Sequence, residues 1–166
     1  MHLICIFGVE AMRLTRFTDY SLRVLMYLAA RPGQSATISE IAAAFAISES
    51  HLSKVVHHLG KNRLLSNARG RGGGLALGRP AARINIGAVV RAAEAGSALV
   101  ECFDARTNHC AITPACGLRD VLAEALAALY ATLDKYTLAD ITRNRPRLRQ
   151  LLEARAAAKL TTSTPH

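Results

Sequence analysis

Three cysteines within fifteen residues are the part of the sequence best suited to chemistry. Cys102, Cys110 and Cys116 follow the spacing C-x7-C-x5-C. This spacing matches neither the C-x2-C pairs of zinc ribbons and thioredoxin-like proteins nor the C-x2-C-x2-C run of ferredoxins. Three thiolates on one flexible segment can hold a multi-iron cluster, whose ligands lie several ångströms apart, more easily than a single tetrahedral ion. The alternatives are a zinc- or thiol-based redox site and three incidental thiols, and the fourth cysteine, Cys5, is assigned no role.

The distribution of charge along the chain indicates what kind of partner the protein binds. The chain has a formal net charge of +9 and a pI near 10.0. Residues 1–100 contain 12 Lys and Arg against 5 Asp and Glu, whereas residues 101–166 contain 9 against 7. Between Glu49 and Glu94 eight basic residues occur without an acidic one. A stretch of one sign predicts a surface that faces phosphate groups, so nucleic acid is the favoured partner.

The elements that precede the cysteines predict a helix-turn-helix. A first helix, capped by Thr18, is expected to end at Arg31-Pro32-Gly33, because Pro and Gly stop helices. A second, short helix follows Ser39. Ser48 then caps a third helix, which runs from Glu49 to about Lys61. Two helices joined by a tight turn are typical of this DNA-binding motif.

The third predicted helix has the character of a recognition helix. In a helix-turn-helix the second helix enters the major groove, where polar side chains meet base edges and basic ones bind phosphates. Opposite an apolar face, this helix and its cap carry the candidates for DNA contact, which are Ser48, Ser50, His51, Ser53, Lys54 and His57. The alternative is an ordinary solvated helix face.

A glycine-rich stretch after this helix predicts a β-hairpin wing. Leu64-Leu65 and Leu75-Ala76-Leu77 flank Arg69-Gly70-Arg71-Gly72-Gly73-Gly74. Arg69 and Arg71 at the tip are suited to the minor groove, where the potential is most negative. The stretch is not a nucleotide loop, because Leu75 and Leu77 occupy the last glycine position of G-x-G-x-x-G in its two possible registers.

The second half of the chain predicts an association element. Asn85 caps a short helix to about Ala95, and an irregular cysteine segment follows from about Leu99. A long helix from Leu118 to Tyr136 then carries a leucine stripe, which consists of Leu122, Leu126, Leu129 and Leu133. The stripe fits packing against this chain's own core and against a second copy equally well. A winged domain that reads a palindrome favours the homodimer.

Together these elements predict a mostly α protein, a winged helix-turn-helix with a long dimerisation helix and a cysteine loop. The expected parts are a disordered extension (1–11), the DNA-binding domain (12–97), the cluster loop (98–117), the dimerisation and C-terminal helices (118–160) and a disordered tail (161–166). The C-terminal helix spans about Arg147 to Lys159. The opening residues lack the features of a signal peptide, Met12 is a possible start, and no 18-residue apolar run occurs, so we expect a cytoplasmic protein without a membrane partner.

Four stretches, in this order, resemble the winged-helix iron–sulfur repressor family, and its nitric-oxide-sensing members in particular. They are RLTRFTDY (13–20), RGRGGG (69–74), CAITPAC (110–116) and YTLAD (136–140), and the similarity covers about Met12 to Ile141. The resemblance implies a dimeric repressor of nitric oxide detoxification genes, which is not an enzyme. It also implies one iron–sulfur cluster per subunit, for which [4Fe-4S] is favoured over [2Fe-2S], and release of a palindromic operator when nitric oxide attacks that cluster.

The same resemblance implies a fourth ligand, Asp19, supplied by the opening helix of the other subunit. A carboxylate is a hard ligand on an iron that prefers thiolates, so it should be the ligand most easily displaced. The alternative is a first-turn acid that the helix dipole favours without any metal. His109, beside Cys110, is a further candidate ligand, although an exposed loop histidine is the simpler interpretation.

Related regulators and one other class of protein stay open as alternatives. IscR-type regulators place a His three residues after the last Cys, where this sequence has Arg119. RirA-type iron-responsive regulators share the three cysteines but commonly carry Asn at the position of Asp19. A small iron–sulfur electron-transfer protein is the competitor from another class, and it would need no basic winged domain.

Overall fold

A computed structural model describes residues 13–67 and 73–161, and side chains up to residue 155. The described part is mostly helical, as predicted, with one two-stranded sheet. Its elements are α1 (Arg16–Ala29), α2 (Ile38–Phe45), α3 (Glu49–Lys61), β1 (Leu65–Asn67), β2 (Leu75–Leu77), α4 (Ile86–Ala93), α5 (Gly117–Leu133), α6 (Leu138–Ile141) and α7 (Arg145–Thr161). Within these residues, no helix combines the length and apolarity needed to cross a membrane.

The first helix begins earlier than predicted. The hydroxyl of Thr15 accepts a hydrogen bond from the Thr18 backbone N–H at 3.2 Å, so Thr15 is the N-cap and the expectation for Thr18 is wrong. Thr18 is instead fully buried in the first turn. The next helix, α2, also begins earlier than expected, because Thr37 and Glu40 form a capping box in which each side chain bonds the other residue's backbone N–H.

The turn between α2 and α3 has the predicted form. Ala46 ends α2 in the left-handed conformation, at φ 55°, and α3 runs from Glu49 to Lys61 as expected. Ser48 occupies the N-cap position but makes no capping hydrogen bond. Its hydroxyl lies 2.9 Å from Nδ1 of His51 instead.

The hairpin after α3 is a wing anchored to the helical domain. Strands β1 and β2 pair antiparallel with Leu65 opposite Leu77. Ala36, before α2, extends this sheet through two backbone hydrogen bonds with Leu75, of 2.7 and 3.0 Å. A Cβ at Gly74 would lie 2.8 Å from the Ala36 carbonyl oxygen, so this close approach requires glycine. Arg69 and Arg71 lie outside the described residues.

The hydrophobic core belongs to the winged domain and includes α6. Its fully buried large side chains are Val24, Leu25, Ile41, Leu52, Val55, Leu59, Ile84, Val90 and Leu138. Leu138 comes from α6, which the sequence analysis did not predict. A backbone hydrogen bond of 2.8 Å from the Leu138 N–H to the Ile84 carbonyl holds this short helix beside the start of α4.

The two long C-terminal helices differ in how they meet this core. Helix α5 ends at Leu133 rather than at Tyr136, and no residue in it is buried. It is joined to α4 by the ion pair of Arg91 with Asp134, at 2.6 Å. Helix α7 packs on α2, with Leu152 against the core. It includes Thr161, which was expected in the tail, while residues 1–12, with Cys5, and 162–166 lie outside the described residues.

Candidate nucleic-acid interface and metal centre

Helix α3 presents a polar face to solvent. Leu52, Val55 and Leu59 are buried in the core, each about 1% exposed, and hold the helix in one orientation. The opposite face carries all the described candidates for DNA contact in an exposed position, and these are Ser48, Ser50, His51, Ser53, Lys54 and His57. The periodicity of α3 therefore leaves these groups on an exposed face that a DNA groove can reach.

Arg79 and Arg91, from the basic stretch, have structural roles. The Arg79 guanidinium donates to the carbonyl oxygens of Asn62, at 2.9 Å, and Arg63, at 3.3 Å, just after α3. Arg91 pairs with Asp134 and lies over the ring of Tyr130, 5.0 Å from its centroid. These two arginines are exposed but already have partners within the chain. Lys54, Lys61, Arg63 and Arg83 are exposed and available to face phosphate.

The three cysteines of the second half lie on the irregular segment between α4 and α5. Cys102 is in a 3-10 turn, Cys110 is in a loop and Cys116 immediately precedes the first residue of α5. All three are half-buried and none forms a disulfide. They are thus partly accessible thiols without another covalent role.

Hydrogen bonds close to the cysteines shape this segment. The backbone N–H of His109 donates to the Glu101 carboxylate, which connects the neighbours of Cys110 and Cys102. The Thr113 hydroxyl donates to the Cys110 carbonyl at 2.8 Å. Among the described residues, however, no group of three His, Cys, Asp or Glu side chains lies close enough to hold a metal ion. The ligand set of Cys102, Cys110 and Cys116 therefore stays a prediction, and His109 is exposed beside it.

Glu94, at the end of α4, makes structural contacts that the sequence did not predict. One of its carboxylate oxygens accepts from the Thr15 backbone N–H at 2.8 Å, the Thr15 hydroxyl at 3.0 Å and the Thr18 hydroxyl at 2.5 Å. These bonds join the C-terminal end of α4, just before the cysteine segment, to the N-terminal end of α1. The one available signal was that Glu94 is the only acid between Glu49 and Glu101.

Asp19 lies in this same first turn of α1. Its carboxylate makes two contacts with the guanidinium of Arg23, at 2.8 and 2.9 Å. The Asp19 side chain is still 43% exposed. It is therefore accessible from outside the chain and already has a structural partner within it.

Helices α2 and α3 with the β1–β2 wing define a DNA-binding protein of the winged helix-turn-helix class. The chain belongs to the Rrf2 family of iron-dependent transcriptional regulators, whose family model matches residues 14–144. It is 52% identical over 143 residues to the HTH-type transcriptional regulator NsrR of Bacillus subtilis, which covers 86% of this chain and 98% of that protein. These findings confirm the resemblance seen in the sequence, and they place the chain among DNA-binding regulators rather than enzymes.

Solved structures agree on the fold. IscR of T. potens matches with a TM-score of 0.65 and 22% identity, over 82% of this chain and 90% of that one. The oxidised form of CymR from Staphylococcus aureus matches with a TM-score of 0.61 and 24% identity, over 79% and 96%. At these identities the likeness concerns the fold alone.

Proposed function

We propose that this chain is a homodimeric repressor that senses nitric oxide through an iron–sulfur cluster on Cys102, Cys110 and Cys116. With its cluster intact, the repressor binds a palindromic operator, and reaction of the cluster with nitric oxide releases the repressor from the DNA. The observation that carries the proposal is the near full-length 52% identity to an NsrR regulator, over an alignment of 143 residues. The protein would act in the cytoplasm, with the domain boundaries given above.

The residues present suit such a cluster. Three half-buried thiols without disulfides are the donor type that iron–sulfur clusters prefer. Cys116 adjoins the N-terminus of α5, where the helix dipole favours the negative charge of a thiolate cluster. Three cysteines and one further ligand would complete either cluster type, so the preference for [4Fe-4S] over [2Fe-2S] rests on the family resemblance. Binding would draw the segment together, which couples cluster assembly to the local fold.

Asp19 can serve as the fourth ligand, toward the cluster of the other subunit. To bind iron, the Asp19 carboxylate would have to break its ion pair with Arg23 or keep it with one oxygen only. An exposed pair at this helical spacing is worth only ~0.3–0.5 kcal/mol, so its loss opposes ligation weakly. A helix dipole preference for an acid in the first turn explains Asp19 equally well without a metal, and the variants described below distinguish these roles.

Helix α5 supports a dimer. It is 17 residues long and rich in Ala and Leu, yet none of its residues is buried. Leu118 and Val121 are 63% and 62% exposed, and the leucine stripe (Leu122, Leu126, Leu129 and Leu133) is half-buried. Apolar surface of this kind is usually covered by another protein surface, and a second copy also supplies the symmetry that a palindromic operator requires.

Ligation by Asp19 would couple the sensing of nitric oxide to the binding of DNA. When bound, the cluster would supply iron that reacts with nitric oxide and thereby loses protein ligands. Asp19 would then no longer hold α1 against the cysteine segment of the other subunit. The two α3 helices would lose their fixed spacing, and the operator contacts with them. Coupling of this kind typically changes affinity by ~1–3 kcal/mol.

The test begins with protein purified without oxygen. We expect a visible absorption spectrum and iron and sulfide in each subunit. Cys102→Ala, Cys110→Ala and Cys116→Ala should each abolish cluster retention. Cys5→Ala is the matched control and should retain it. Loss of iron in the Cys5 variant alone would overturn the ligand set.

A second candidate signal is iron itself. The family description, iron-dependent transcriptional regulator, favours it directly. An iron-responsive repressor should leave its operator when a chelator removes the cluster and should respond only weakly to a stoichiometric dose of nitric oxide. Parallel operator-binding titrations with the two reagents distinguish the candidates.

A further inference from the structure

An open cleft of about 640 Å³ lies on the winged domain, away from the cysteine segment. It is bounded by the loop from α1 to α2, the turn after β2 and the first residue of α7. Three arginines line it, namely Arg31, Arg79 and Arg145, and no acidic residue does. A volume between 300 and 1,000 Å³ is typical of pockets that bind small molecules.

Arg31 is unusual because its charge is largely buried. Its side chain is only 11% exposed, and its guanidinium lies over the ring of Tyr27, 4.1 Å from the centroid. The buried Nη1 has no hydrogen-bond partner among the described residues. The nearest carboxylate, Glu153, is 3.8 Å from Nη2. That carboxylate also accepts from Arg149 at 2.7 Å, so it balances Arg31 only in part.

The other two arginines add positive charge to the cleft. One is held there by hydrogen bonds, and the other has no partner in the described part of the chain that draws it away. Arg79 is held in place by its hydrogen bonds to the carbonyls of Asn62 and Arg63. Arg145 is exposed and has no hydrogen bond or ion pair with another described residue. It stands at the N-terminus of the 17-residue helix α7, where the helix dipole adds positive potential.

Helix α7 is also rich in basic residues. It begins at Arg145, immediately after the part of the chain that the family model matches, which ends at residue 144. From residue 143 to 159 there are six basic residues against one acidic residue. The charge summed over residues 101–166 is only +2, so this local excess is not apparent from the total.

We propose that the cleft binds a small phosphate-bearing anion. A guanidinium presents planar N–H groups that match the oxygens of phosphate, and three arginines line the cleft while only Glu153 offsets their charge in part, so the cleft favours an anion. Because the cleft joins the base of the wing to α7, the bound anion would also hold α7 against the DNA-binding domain. This site is independent of the cluster and of nitric oxide.

The test titrates inorganic phosphate into the anaerobic full-length protein at constant ionic strength, with chloride as the balancing anion. Backbone amide NMR signals of Gly33, Gln34 and Gly78 report on the cleft. We expect saturable shifts of these signals in the wild type. Arg145→Gln should weaken binding roughly tenfold, the scale of one lost charged hydrogen bond. Arg147→Gln, which removes the same charge two residues along α7 and outside the cleft, should leave it unchanged.

Three results would overturn the proposal. Non-saturable shifts, or equal weakening by both variants, would show only general attraction of anions to a basic helix. If the wild type binds no phosphate but Arg145→Gln alone lowers operator affinity and its salt dependence, the cleft contacts the DNA backbone and is not a small-molecule site. Both variants change exposed residues, so loss of folding does not obscure the comparison.

Discussion

Substitution of the half-buried Glu94 by Ala should destabilise the protein more than substitution of an exposed acidic residue. Its carboxylate accepts three hydrogen bonds from Thr15 and Thr18, at 2.8, 3.0 and 2.5 Å. Thr18 is fully buried, so its hydroxyl cannot turn to water once the carboxylate is gone. The Thr18 hydroxyl can still form a hydrogen bond with the Thr15 hydroxyl, 3.1 Å away, which limits the loss of stability.

The magnitude follows from these contacts. Hydrogen bonds to a charged group contribute ~1.5–3 kcal/mol each when isolated, and bonds that share one acceptor contribute less than their sum. We therefore expect Glu94→Ala to lower the free energy of unfolding by about 2–3 kcal/mol. For a protein of this size that corresponds to a Tm lower by roughly 5–10 °C. Glu94→Gln keeps an acceptor oxygen but loses its charge, so it should cost about 1 kcal/mol.

Thermal unfolding followed by circular dichroism measures these effects. Glu124→Ala, at an exposed position of α5, is the control and should stay within about 0.5 kcal/mol of the wild type. A Glu94→Ala protein as stable as the Glu124→Ala protein would refute the reasoning. The three hydrogen bonds would then contribute nothing measurable to the junction of α4 and α1.

Two further predictions concern acid stability and DNA contact. Hydrogen bonds from Thr137 and Arg143 lower the pKa of Asp140 from 3.8 to about 2. This stabilisation is present above pH 3.8 and is lost as the pH falls through about 2. The Tm advantage of the wild type over Asp140→Asn should thus shrink across that interval, and a constant difference would contradict it. At the interface, Arg71→Ala should weaken binding to all DNA sequences alike, whereas changes at Ser50 or His51 should alter which sequence is preferred in a selection experiment.

Helix α3 could be predicted from sequence because its signals are local. A Ser precedes it, three apolar residues recur at helical spacing, and a glycine-rich hairpin follows. The structure gives it the predicted bounds, from Glu49 to Lys61. The polar face then follows from the buried one, so the exposure of the described DNA-contact candidates could be predicted without knowledge of tertiary packing.

The start of α1 could not be predicted, because its cause lies elsewhere in the chain. Thr15 and Thr18 are equally good N-caps by residue type. What engages the hydroxyl of Thr18 is Glu94, 76 residues further along. Helix α6 was missed for a similar reason, since four residues give no periodicity and the backbone of Ile84 holds Leu138 in place.

The roles of the basic residues and the geometry of the metal site likewise depend on contacts between distant parts of the chain. Sequence counts Arg79 and Arg91 as part of a basic surface, but their carbonyl and carboxylate partners are visible only in the fold. The spacing of Cys102, Cys110 and Cys116 likewise indicates a cluster without determining the distances among the thiols. The cysteine spacing also does not reveal a fourth ligand from outside the segment, and Asp19 was inferred only from the family resemblance.

The central claim, that ligation of the cluster controls DNA binding, is tested most directly by operator affinity measured anaerobically before and after stoichiometric nitric oxide. The wild type should lose roughly 5- to 150-fold in affinity, the range that corresponds to typical allosteric coupling. Asp19→Ala should retain its visible colour and lose little affinity on the same treatment, because the link between subunits is already absent. Unchanged affinity of the nitric-oxide-treated wild type would contradict the claim, and a loss of wild-type size in Asp19→Ala would remove Asp19 from the mechanism.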